Sequence, residues 1–68
     1  MIIYVNGEPR EVVPPARLRD VLGLPEGAPT PRGVAVAVNG EVIPRSQHAI
    51  IELAEGAKVE IVTAVQGG

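Results

Sequence analysis

The sequence predicts an α+β fold: a mixed sheet of four to five strands with one short helix packed across one face. Three observations predict it. Of the 21 Val, Ile and Leu residues, 17 are β-branched, and such side chains suit pleated, half-buried surfaces better than helices. Asn-Gly occurs twice, at Asn6-Gly7 and Asn39-Gly40, each time directly after an apolar run. This is the dipeptide best suited to the positive φ values of a tight hairpin turn. Between the two hairpins, Leu18, Val21 and Leu22 fall at i, i+3 and i+4, which puts three apolar side chains on one helical stripe.

Length and composition bound what the chain can do. Its 68 residues make one domain spanning residues 1–68, near the size at which a single core leaves stability marginal. Cysteine is absent and His48 is the one histidine. That removes disulfides, thiol nucleophiles, iron–sulfur clusters and nearly every zinc site. The net charge is −2 with no basic run, and Tyr4 is the one aromatic, so neither the electrostatic footprint nor the stacking platform of a nucleic-acid binder is expected. The acidic excess lies in the second half, where Arg45 and Lys58 face Glu41, Glu52, Glu55 and Glu60. No apolar run approaches the roughly 18 residues that span a membrane, and no secretory signal opens the chain. It reads as soluble and cytoplasmic.

In chain order, Ile2 to Val5 is an apolar strand that stops at Asn6-Gly7. The return strand is expected from about Pro9 to Val13, at a sheet edge because Pro9 cannot donate to a ladder. Pro14-Pro15 ends it, and a helix of about two turns follows, with Pro15 suited to its first turn and Gly23 and Pro25 at its end. No Ser, Thr, Asp or Asn stands at the expected cap, and so short a helix depends on packing. Glu26 to Gly33 holds Gly27, Pro29, Pro31 and Gly33 and reads as a loop. Val34 to Val38 alternates Val and Ala, predicting a strand with its Val face in the core and a flat apolar face of Ala35 and Ala37 that either admits a partner or is partly covered by the chain itself. Glu41-Val42-Ile43 returns from Asn39-Gly40 and stops at Pro44. Arg45 to His48 reads as a turn or 3₁₀ segment, with His48 structural or exposed. Ile50 to Leu53 reads as a brief extended piece, Ala54 to Ala57 as a glycine turn, and Lys58 to Thr63 as the last strand, with Val59 and Ile61 pointing inward.

For this order to bury its apolar faces, the last strand must lie centrally and parallel to the first, with the helix crossing one face. That arrangement is the ubiquitin-like β-grasp. It leaves a tail, about residues 65–68, of Val65-Gln66-Gly67-Gly68. Gly67 and Gly68 have no Cβ and take almost any backbone conformation, so they suit threading through a narrow channel to present the terminal carboxylate to a bound nucleotide.

Three segments, Val36-Ala37-Val38-Asn39-Gly40-Glu41-Val42-Ile43-Pro44-Arg45-Ser46, Leu53-Ala54-Glu55-Gly56, and Val59 through Gly68, strongly resemble the ThiS family of sulfur carrier proteins in thiamine biosynthesis. Ile3-Tyr4-Val5-Asn6-Gly7-Glu8 resembles that family's first strand and turn. The chain departs from it at Gly56-Ala57, where Gly-Asp is frequent, and at His48, where an aromatic is frequent. It departs again at the Ala16-Arg17 region, where Thr or Ser usually starts the helix, and in the Pro-rich loop from Pro25 to Gly33.

The resemblance implies a carrier, not an enzyme, whose active group is the Gly68 carboxylate. An E1-like adenylating enzyme of the ThiF type would join AMP to Gly68 using ATP and magnesium, neither of which the carrier itself would bind. Sulfur from a cysteine desulfurase or other persulfide donor would replace AMP to give a thiocarboxylate. Thiazole synthase, of the ThiG type, would take that sulfur into thiazole. Val65, Gln66 and Gly67 would thread the partner's active site, and Val62, turned away from Val59 and Ile61 by strand alternation, is a candidate docking residue. No Ser/His/Asp set, carboxylate dyad or phosphate-cradling loop points to catalysis, and no metal, nucleic acid or membrane is expected. Alternatives are the molybdopterin synthase small subunit, a tRNA-thiolation sulfur carrier, a ubiquitin-like modifier and a non-covalent β-grasp interaction domain. The Asn39 to Arg45 run favours the thiazole carrier.

Overall fold

The two Asn-Gly dipeptides build the hairpins that frame the sheet. Asn6 and Gly7 have φ of 51° and 86°, and Asn39 and Gly40 have φ of 53° and 82°, the left-handed pairs that a two-residue turn needs to match strand twist. The computed structural model describes residues 1–25 and 27–63. Its elements are β1 (Ile2–Val5), β2 (Glu8–Glu11), β3 (Ala16–Arg17), α1 (Leu18–Val21), β4 (Val34–Val38), β5 (Glu41–Val42), a 3₁₀ turn (Arg45–Gln47), β6 (Glu52–Leu53) and β7 (Lys58–Thr63).

The five-stranded sheet runs β2-β1-β7-β4-β5. β7 is central and parallel to β1, with Tyr4 beside Lys58 and Val5 beside Val59. On its other side it is antiparallel to β4, in register from Val34–Thr63 to Val38–Val59. This is the mixed β-grasp sheet that the element order requires. One face is sealed by a core of Ile3, Leu18, Val36, Leu53, Ala57 and Val59, with the Val side of β4 turned inward as its alternation dictates.

The helical segment departs from expectation. A first turn at Pro15 and a length of about two turns give way to a single turn, Leu18–Val21. Ala16 and Arg17 are claimed instead by β6, pairing with Leu53 and Glu52, and the Leu18 N–H donates to the Ile51 carbonyl at 3.0 Å. Tertiary pairing thus starts the helix late. The missing cap is supplied from inside: the Asp20 carboxylate accepts the Arg17 N–H at 3.0 Å, the reaching-back half of a capping box. At the other end, Gly23 N–H bonds the Asp20 carbonyl (3.2 Å) and Leu24 N–H the Arg19 carbonyl (3.0 Å). With Gly23 at φ 71°, this is a Schellman termination. Leu18 is fully buried, and Val21 and Leu22 pack against the core.

Three boundaries also shift. β5 ends at Val42 rather than Ile43, although the Ile43 N–H still donates to the Val36 carbonyl at 2.8 Å. β2 is Glu8–Glu11 rather than Pro9 to Val13; the Val12 N–H still reaches the Met1 carbonyl at 2.8 Å, but Val13 is exposed and two prolines without N–H follow it. β6 shrinks to Glu52–Leu53, leaving Ile50 exposed.

Candidate functional site

β7 carries the chain toward its end, so its anchoring defines the platform for the tail. Asn6 and Asn39 hold it from both sides. The Asn6 N–H donates to the Val59 carbonyl (2.8 Å), and its Oδ1 accepts the Ile61 N–H (2.8 Å). The Asn39 N–H donates to the Lys58 carbonyl (2.8 Å), while its Oδ1 accepts the Lys58 N–H (3.0 Å). The same left-handed conformation that closes each hairpin aims its side chain at β7. This clamp was not legible in the sequence, where each Asn reads only as a turn residue, because the contact spans 55 residues for Asn6.

The outer face of the sheet is where Val62 sits. Val59 is buried and Val62 is 62% exposed, opposite Ala35 across the β4–β7 ladder. Alternation and register put Tyr4, Ala37, Glu60 and Val42 on the same face, as the pairs Tyr4–Lys58, Ala37–Glu60 and Ala37–Val42 establish. Tyr4 and Val42 are exposed apolar residues on that face that sequence reading did not single out; Ile2 to Val5 is apolar throughout, so no local alternation marks Tyr4 as outward. Val65, Gln66, Gly67 and Gly68, the tail residues to which the sequence assigns the chemistry, lie outside the described residues.

His48 is 2% exposed and is a structural residue. Its Nε2 lies 2.9 Å from the Ile43 carbonyl, which can only accept, so Nε2 carries hydrogen. Its Nδ1 lies 2.7 Å from the Oγ1 of buried Thr30. Arg45 Nε donates to the Thr30 carbonyl. Together these bonds fasten the Pro-rich loop to the 3₁₀ turn. Among the described residues no group of three or more His, Cys, Asp or Glu side chains is gathered as metal ligands would be, and no helix is long and apolar enough to cross a membrane.

Comparison with known proteins agrees with this geometry. No curated protein sequence gives a significant match. Among solved structures, the crystal structure of a thiamine biosynthesis protein, ThiS, from Geobacter metallireducens is similar with a TM-score of 0.72 and 26% identity, covering 100% of each chain. The ThiS family model matches residues 3–68, and on that match the chain belongs to the ThiS family, whose members are small sulfur carrier proteins and not themselves enzymes.

Proposed function

We propose that this chain is the sulfur carrier of a cytoplasmic thiamine pathway, with the Gly68 carboxylate as its reactive group. The observation that carries the reading is membership of the ThiS family across residues 3–68, a stretch that includes the Val65-Gln66-Gly67-Gly68 tail. The chemistry has a clear physical order. A carboxylate is a poor acyl donor, so an E1-like adenylating enzyme of the ThiF type, with magnesium-ATP, joins AMP to Gly68 and releases pyrophosphate. A persulfide from a cysteine desulfurase or similar donor attacks the acyl carbon and AMP departs. Cleavage of the sulfur–sulfur bond by a thiol leaves the thiocarboxylate, a strong nucleophile for a ThiG-type thiazole synthase. ATP and magnesium belong to the partner, and the carrier holds no cofactor.

Val65, Gln66 and Gly67 are the stem that enters the partner's active site, and Val62 belongs to the docking surface. The exposure of Val62 and of Ala35 beside it across the β4–β7 ladder supports that role. The test is reconstitution with the adenylating enzyme, magnesium-ATP, the persulfide donor and thiazole synthase. The full chain should support thiazole formation and a chain lacking Gly68 should not. Sulfur arriving in a pterin or a tRNA instead would redirect the pathway, and a carrier joined to a protein lysine would make it a modifier.

A further inference from the structure

We propose that Asn39 is a site of spontaneous deamidation in the folded protein, and that the same chemistry at Asn6 is held back by the fold. In an Asn-Gly pair the glycine nitrogen attacks the asparagine side-chain carbonyl carbon. A C–N bond closes a succinimide and the amide nitrogen leaves as ammonia. Water then opens the ring at either carbonyl, giving aspartate or isoaspartate. Glycine in the second position removes the Cβ that would crowd the attacking nitrogen, so both Asn6-Gly7 and Asn39-Gly40 are reactive sequences. Both pairs line one open cleft with Tyr4 and Lys58, so water reaches either.

What separates them is how much structure must open. Ring closure requires the side chain to leave β7 and swing over its own following amide. Asn6 is held by 2.8 Å bonds to two different residues of β7, Val59 and Ile61. Its turn is closed by the four-pair β1–β2 ladder, Val5–Glu8 through Ile2–Glu11. Asn39 binds Lys58 alone, with the longer side-chain bond of 3.0 Å. Beyond Gly40 come the two-residue edge strand Glu41–Val42, both residues exposed, and one further bond to β4, from the Ile43 N–H to the Val36 carbonyl at 2.8 Å, before Pro44, a shorter ladder than the four pairs of β1–β2. Opening energies are smallest where few bonds and little buried surface are lost, so the Asn39-Gly40 turn opens at lower cost. Isoaspartate there inserts a methylene into the backbone of a two-residue turn, so residue 39 can no longer hold both the N–H and the carbonyl of Lys58.

The experiment incubates the full chain at mildly alkaline pH, folded and in parallel in denaturant, with time-resolved peptide mapping by mass spectrometry. In denaturant both sites should convert at similar rates. In the folded protein Asn39 should convert, and Asn6 more slowly by at least about tenfold, with isoaspartate among the products at position 39. Equal rates at the two sites when folded, faster conversion at Asn6, or no conversion at Asn39 over the interval that exhausts it in denaturant would each overturn the proposal. An Asn39→Asp variant keeps a side-chain oxygen for the Lys58 N–H and serves as the marker for the aspartate product.

Discussion

Asn6 shows how one side chain serves two levels of structure: its positive φ closes a hairpin, and its Oδ1 accepts the Ile61 N–H. Asn6→Gly keeps the conformation and removes the acceptor, and is expected to lower stability by about 1–2 kcal/mol, read as a shift in urea midpoint with an unchanged slope. His48 is the other instructive residue. Sequence reasoning placed it as structural or exposed, and burial at 2% decides for the first. Its partners Thr30 and Ile43 stand 18 and 5 residues away, in segments whose composition says only loop and strand end. Thr30→Val keeps the shape of the buried side chain and leaves His48 Nδ1 without its hydroxyl. That should cost about 1–3 kcal/mol by the same denaturation measurement, with the sheet unchanged by circular dichroism.

At the scale of elements, β1, β4 and β7 were legible because period-two alternation and the Asn-Gly turns are local signals. The helix was legible in its stripe, Leu18, Val21 and Leu22, but not in its start. The pairing of Ala16 and Arg17 with Leu53 and Glu52 depends on chain more than 30 residues away, and no local propensity encodes it. β7 gives the sharpest test of face assignment, since Val59 and Val62 are chemically identical and face opposite sides. Val59→Ala, in the core, should destabilise by about 2 kcal/mol. Val62→Ala, exposed, should stay within about 0.5 kcal/mol of the parent. Val62→Asp should fold normally yet slow adenylation of the tail, measured as pyrophosphate release with the adenylating enzyme. An unchanged rate would remove Val62 from the docking surface.

The whole molecule is a mixed sheet built around one central strand, β7, flanked by β1 and β4. The β-grasp was readable from element order, since β7 can bury Val59 and Ile61 only by lying between β1 and β4. The proposed site rests on a different signal, the Gly67-Gly68 end of the sequence, which lies outside the described residues and within the stretch that the ThiS family model matches. The central claim is that Gly68 carries sulfur as a thiocarboxylate. The most direct measurement is intact mass after incubation with the adenylating enzyme, magnesium-ATP, a persulfide donor and a thiol, comparing the full chain with one lacking Gly68. The account predicts a shift equal to one oxygen replaced by sulfur, in the full chain only. An unchanged mass, with an enzyme shown active on another carrier, would contradict it.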